Sequence, residues 1–329
     1  MTIPATAHFI WLGDRLAWLH AMAIRTAALN GGFTRVVLHH DRPLAHLPVW
    51  RELAGLPGFE ARPLDAQAIF AGCGRHAERL GEVFAALDKP AARANVLRAA
   101  ILHGEGGVYL DTDTVTTRPL DDLRCGLGAF CGEEHVVFPQ HVVASGRPLP
   151  LAAALVRSAL RDGLRRLPDG WRAFGAVAGL YQRAANNAVL GARPGHGLTE
   201  RLLAGIAATP ASRRRVRFAL GTHLLQQVLA DGREADLWVA PPPVFYPLGP
   251  EISTHWFRPT AEVRLDRMLA AETRVVHWYA SVRCDALVPQ IDRAWVVANA
   301  GTIPLAALLA RTMDGVSQTT RVAMAGLAA

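Results

Sequence analysis

The chain has 329 residues, enough to bury a full core, and its 51% hydrophobic content excludes a disordered protein. Against 28 Asp and Glu it carries 35 Lys and Arg, a formal net charge of +7. Apart from Arg213-Arg214-Arg215 these cations are scattered, which excludes a basic tail but admits a nucleotide diphosphate, a nucleic acid or a membrane surface as ligand. Cys73, Cys125, Cys131 and Cys284 lack C-x-x-C spacing and are too few for a disulfide scaffold, so a reducing cytoplasm is the expected setting. No basic n-region or small-residue cleavage site opens the chain, so no export signal is expected.

In chain order, the apolar run Ala7–Leu12 before Gly13 predicts a strand, and Leu16–Leu29 predicts a helix that stops at Gly31-Gly32. Arg35–His39 and Phe59–Pro63 read as the second and third strands. Asp88 is placed to cap a helix with Pro90 in its first turn, running through Leu97 and Ile101 to Gly104. Gly106-Gly107 turns the chain into the strand Val108-Tyr109-Leu110, and Asp111 and Asp113 follow at its end, where open α/β sheets place their ligands. Further on, Leu149–Leu160 and Leu220–Ala230 predict helices, Ala188–Ala192 and Arg274–Trp278 strands, and Pro241-Pro242-Pro243 a rigid extended segment. Ala294–Ala310 is uncharged but short for a membrane span and broken by Asn299, Gly301 and Pro304. It reads as a docked C-terminal segment, with peripheral membrane contact as the alternative. Strands alternating with helices predict an α/β fold with a mostly parallel sheet, and no linker divides the chain.

A lone D-x-D is weak, because a chain this long should hold roughly one by chance. If Asp111 and Asp113 continue an extended strand, they point to one side and can face one cation, while Thr112 points away. Two hard oxygen ligands suit Mn²⁺ or Mg²⁺. No P-loop, Ser/His/Asp constellation or G-x-G-x-x-G opening a helix is present.

The flanking residues make the triplet specific. Ala94-Asn95-Val96-Leu97-Arg98, then Gly106-Gly107-Val108-Tyr109-Leu110-Asp111-Thr112-Asp113 and Arg118-Pro119-Leu120-Asp121, closely resemble the signature of the DXD-containing sugar transferases. That family includes yeast outer-chain mannosyltransferases, bacterial capsular-polysaccharide transferases and the catalytic domain of clostridial glucosylating toxins. Three further blocks follow the family order: His8-Phe9-Ile10-Trp11-Leu12-Gly13, then Asn187-Ala188-Val189-Leu190-Gly191-Ala192 with Pro194-Gly195-His196, then Val276-His277-Trp278-Tyr279-Ala280-Ser281.

The resemblance implies a GT-A-type single domain over 1–329, with a Rossmann-like, mostly parallel central sheet flanked by helices and a C-terminal helical segment. A donor-binding half would cover about 1–125, an acceptor-side and site-closing half about 126–290, and the C-terminal segment 291–329. It implies metal-dependent, retaining transfer of a hexose from a UDP- or GDP-sugar to a hydroxyl acceptor, with Mn²⁺ or Mg²⁺ as cofactor. Asp113 would ligate the metal, Asp111 the metal or the ribose, and His277 would complete the metal site or bond the diphosphate. Arg98 would act in catalysis by forking onto sugar hydroxyls or phosphate. Trp11 would stack on the base, and Asn95, Asn187 and Ser281 would contact the donor.

Asn95 replaces a frequent Asp, Val282 follows Ser281 where Trp is common so that a diphosphate contact from Trp is lost or moves to Trp278, and Gly221-Thr222 replaces a frequent Gly-Pro. The acceptor, whether glycan, lipid-linked, protein or small molecule, is open. Neither nucleic acid nor an obligate protein partner is expected, and the location is cytoplasmic with membrane association as the alternative. The competing readings are a metal-dependent nucleotidyltransferase, which needs a third carboxylate near the pair, and a non-enzymatic basic protein that binds nucleic acid or membrane.

Overall fold

The apolar N-terminal run forms strand β1 (Thr6–Trp11), whose side chains alternate between two cores. Ala7 and Phe9 join one core, which is also filled by the helix Trp18–Asn30, while Ile10 joins a second core with the helix Pro90–Gly104. The same alternation sends Val108 and Leu110 of β4 (Gly107–Leu110) to the first core and Tyr109 to the second. Helices therefore cover both faces, as a buried, largely parallel sheet requires. A computed structural model describes residues 2–139, 142, 145–280 and 286–315.

The remaining strands are β2 (Arg35–His40), β3 (Phe59–Pro63), β5 (Thr114–Thr116), β6 (Ala129–Val136), β7 (Gln182–Ala192), β8 (Leu237–Ala240) and β9 (Val275–His277). Seven of them form one sheet in the order β3-β2-β1-β4-β7-β6-β8. All pairings in it are parallel except β4 with β7 and β6 with β7. The mixed α/β architecture and mostly parallel sheet agree with the GT-A-type expectation. The reversed β7 matters for the site, because it brings its N-terminal residues to the edge where β1, β4 and β6 end. Gly107 permits β4 to lie against β1: its φ is +103°, and a Cβ there would sit 2.6 Å from the Thr6 carbonyl oxygen.

Several sequence expectations change. The helix Pro90–Gly104 is entered through Lys89 with no side-chain cap, so Asp88 does not cap it, and Pro90 at the first position supplies the start. The triple proline is not extended throughout: Pro242 opens a short helix, Pro242–Phe245, because a fixed φ suits a first helical turn. Strand β7 starts six residues before Ala188, and β5, β6 and β8 add to the expected set. The polar sequence of β6 hides it from an apolar pattern. The C-terminal stretch forms helices Arg293–Asn299 and Pro304–Thr312, bent by 117°. Leu305, Leu308 and Leu309 of the second are fully buried in the first core, so this segment is docked on the protein. No single helix among the described residues is long and apolar enough to cross a membrane.

One buried polar pair underlies the start of the sheet. His8 Nδ1 lies 3.1 Å from His39 Nε2 on the neighbouring strand, and His8 Nε2 lies 2.9 Å from the Gly106 carbonyl. Burial lowers the pKa of His8 to about 4, and burial together with His8 lowers that of His39 to about 3. Glu60, Glu105, Arg35, Arg62 and His40 are the charged or titratable groups that act on the pair. Below pH 6.5 the unfolded chain takes up protons that the folded chain refuses, so stability is lost as pH falls from about 6.5 toward 4. Thermal unfolding should show a falling Tm over that window, and both imidazoles should stay neutral by NMR at pH 5.5. Protonation of both rings near pH 6.5 would contradict the burial argument.

Candidate active site

Strand β4 ends at Leu110, and Asp111-Thr112-Asp113 form a turn into β5. The carboxylates are therefore not brought together by strand alternation, as the sequence suggested. The turn converges them, and it is pinned at several points: Asp111 N–H donates to the Ala188 carbonyl at 2.8 Å, and Thr114 Oγ1 donates to the Asp111 carbonyl at 2.8 Å. His20 Nδ1 also contacts the Thr112 carbonyl at 3.0 Å.

β5 then pairs antiparallel with β9, matching Thr114 with His277. This register sets His277 Nε2 2.9 Å from Asp113 Oδ1. Trp278 N–H bonds the Asp113 carbonyl at 2.9 Å, and Ala280 N–H donates to Asp113 Oδ2 at 2.8 Å. Burial alone would raise the Asp113 pKa, but the His277 imidazole and the Ala280 N–H outweigh it and hold the carboxyl at about 2. Asp111 is raised, chiefly by burial and further by Asp113, against the pull of Arg98. One ligand atom from each of Asp111, Asp113 and His277 lies within 4.8 Å of the others. Two carboxylates and an imidazole form a donor set that fits a divalent cation, and the buried His277 Nδ1 has no hydrogen-bond partner among the described residues.

Arg98 projects from the helix Pro90–Gly104 over the Tyr109 ring, 4.0 Å from its centroid. It donates to Asp111 Oδ1 at 2.6 Å and to the Tyr109 hydroxyl at 3.1 Å from Nη2, and to the Asn187 carbonyl from Nη1. Tyr109 OH also donates to Asp111 Oδ1 at 2.8 Å. With both terminal nitrogens engaged and 5% exposure, Arg98 is arranged to hold Asp111. Asn187, within β7, donates from Nδ2 to Asn95 Oδ1 at 2.9 Å, and its Oδ1 accepts from Thr222 Oγ1 at 3.1 Å. That last bond accounts for Thr222 after Gly221, since proline could not make it, and a Cβ on Gly221 would meet Asn95 Oδ1 at 2.7 Å.

Trp11, Asn95, Arg98, Asp111, Asn187 and His277 border one cleft of about 590 Å³, as does Asp113. Trp11 lies against His20, with ring centroids 4.9 Å apart. Trp278 is instead fully buried beside Phe257, which removes it as a diphosphate contact; it follows β9 into the core. Ser281 lies outside the described residues. Asp121 and Asp122 pair with Arg124 and Arg274, so the third carboxylate expected of a nucleotidyltransferase is not supplied by them.

Two residues of the cleft escaped the sequence reading. Glu134 on β6 accepts at Oε2 from Tyr279 OH and Asn186 Nδ2, both at 2.7 Å. Burial raises its pKa to about 7 against the opposing influence of Tyr279, His277 and Asn186. Tyr279 itself has φ +58°, an unfavourable conformation for an aromatic residue that its bond to Glu134 helps to hold, and its ring centroid lies 3.9 Å from that of His277. The polar run Gly132-Glu133-Glu134-His135 gave no strand signal.

Residues 35–126 match the family model described as glycosyltransferase sugar-binding region containing DXD motif, a stretch that includes Asn95, Arg98, Asp111 and Asp113. That stretch is similar to the sugar-binding region of DXD-containing glycosyltransferases. No curated protein matches it. Among solved structures it is similar to the PaToxG glycosyltransferase, at 14% identity over 70% of each chain with a TM-score of 0.43. It is also similar to mouse xyloside xylosyltransferase 1 in its apo form, at 12% identity over 83% of this chain and 97% of that one, TM-score 0.42. The UDP-bound glycosyltransferase domain of the YGT toxin is similar at 10% identity over 72% and 79%, TM-score 0.37.

The Arg98 network generates a prediction about Asp111. Arg98→Met should cost about 3 kcal/mol in urea unfolding, because it leaves the Asp111 carboxylate and the Asn187 carbonyl without their cation. A loss below about 0.5 kcal/mol would show that Asp111 is held by the turn and not by the guanidinium.

Proposed function

We propose that this protein transfers a hexose from a nucleoside diphosphate sugar to a hydroxyl acceptor, with a divalent cation, Mn²⁺ or Mg²⁺, held by Asp111, Asp113 and His277. The observation that carries the reading is the convergence of these three residues within 4.8 Å in the cleft, inside or paired to the segment that matches the DXD family model. A bound cation supplies Lewis-acid neutralisation of the charge that develops on the departing diphosphate. The rest is done by the chain. Trp11 offers a face to the base, and stacking of that kind contributes about 1–3 kcal/mol. Asn95 and Asn187, locked together by their mutual hydrogen bond, present amide groups to donor-sugar hydroxyls. Arg98 keeps Asp111 in place and does not reach for the sugar. The transfer is taken as retaining, as the resemblance to the DXD-containing sugar transferases implies.

Asp113→Asn should keep the fold and lower sugar transfer, or slow hydrolysis of the donor, by at least about a hundredfold, since one charged ligand is lost from a site that has few. UDP or GDP should raise the Tm of the wild-type protein with Mn²⁺ present and much less in EDTA. Full activity of Asp113→Asn, or of the EDTA-treated wild type, would contradict the metal-dependent reading, and the anomeric configuration of the product by NMR decides retention.

A further inference from the structure

The sheet order fixes how a donor would lie. At the carboxyl edge, Trp11 ends β1, the D-x-D turn follows β4, and Asn187 and Glu134 come from β7 and β6, in that spatial order. On the reading proposed above, a base at Trp11 and a diphosphate at Asp111, Asp113 and His277 carry the sugar toward Asn187. The next strand along the same edge supplies Glu134, and Phe138 and Phe218 line the same cleft.

Glu134 is 6% exposed, yet it uses only one carboxylate oxygen within the protein among the described residues. Oε2 accepts both internal hydrogen bonds, so Oε1 is left to the cleft that the residue borders. A buried carboxylate is costly when its oxygens go unpaired, and a purely structural clamp on Tyr279 and Asn186 is already complete at Oε2. Asn186 is in turn anchored by Oδ1, which accepts from Ala188 N–H at 2.7 Å, so the free oxygen is held in one direction. At the mouth, Phe138 and Phe218 are 41% and 49% exposed. Phe218 is braced by His223, with ring centroids 5.7 Å apart, and by Arg217, whose Cζ lies over the Phe218 ring 4.6 Å from its centroid. Exposed aromatic faces around an inward acceptor oxygen suit a ring that carries hydroxyls on its edge and C–H groups on its faces.

We propose that the β6–β7 side of the cleft is the acceptor subsite, that Glu134 Oε1 accepts a hydrogen bond from an acceptor hydroxyl, and that the acceptor group seated there is a pyranose ring. This assignment rests on the donor reading, and the experiment separates the two. Methyl α- and β-pyranosides of glucose, galactose and mannose, and a serine- and tyrosine-containing peptide, are tested by saturation-transfer NMR against the protein with UDP and Mn²⁺. At least one pyranoside should bind, with saturation reaching its ring protons. Glu134→Gln, which keeps the shape of the side chain, should weaken that pyranoside about tenfold, as expected for a hydrogen bond to a charged acceptor, with less than a twofold change in UDP affinity. Phe218→Ala, at an exposed position, should weaken the same pyranoside without disturbing the fold. Binding of the peptide with no pyranoside, or unchanged pyranoside affinity in both variants while UDP binds normally, would overturn the acceptor assignment alone. Failure of UDP to bind the wild-type protein with Mn²⁺ would overturn the donor reading and this assignment with it.

Discussion

The site depends on the pairing of two three-residue strands, β5 and β9, far apart in sequence. Asp111-Thr112-Asp113 is a turn, and a turn alone leaves its carboxylates to solvent. The register Thr114 to His277 makes it a site by setting the imidazole on Asp113 and the N–H of Ala280 on its other oxygen. The Asp113–His277 ion pair stands beside Asp111 in a cluster whose donor atoms could hold a cation. The imidazole thereby compensates the charge of Asp113 beside the second carboxylate.

Around that pairing, the sheet determines what else can reach the cleft. Reversal of β7 brings Asn186 and Asn187 to the edge where β4 ends, and the bulge between Cys131 and Gly132 lets β6 follow it to Glu134. Arg98 ties the helix Pro90–Gly104 to both β4 and β7 through Asp111 and the Asn187 carbonyl. The helix, the turn and the antiparallel strand are thus one mechanical unit. Arg98 Nη1 and Nη2, Asp111 and the Asn187 carbonyl satisfy one another, although Arg98 Nε has no partner among the described residues.

What the sequence revealed follows from how local each signal is. The β1 run, the Pro90–Gly104 helix and the D-x-D turn are written in contiguous residues, and their mutual resemblance to the sugar-transferase signature carried most of the site. His277 could be reached only through that resemblance, because its contact with Asp113 spans a separation that no periodicity reports. For Arg98 and Trp278, sequence gives a side chain's chemistry but not which neighbours close around it. Tyr109, Asp111 and the Asn187 carbonyl surround Arg98, and the core surrounds Trp278. Glu134 stayed hidden because β6 carries Glu133, Glu134 and His135 in succession, a pattern that reads as loop until the pairing partners on β7 are known.

The most direct test of the account is a crystal structure with Mn²⁺ and UDP, with data collected to record the anomalous signal of manganese. The account predicts one strong peak bounded by the carboxylates of Asp111 and Asp113 and the imidazole of His277, with the UDP diphosphate on the same ion and the uracil against Trp11. A cleft that binds UDP with no manganese at these residues, or with manganese bound elsewhere, would contradict it.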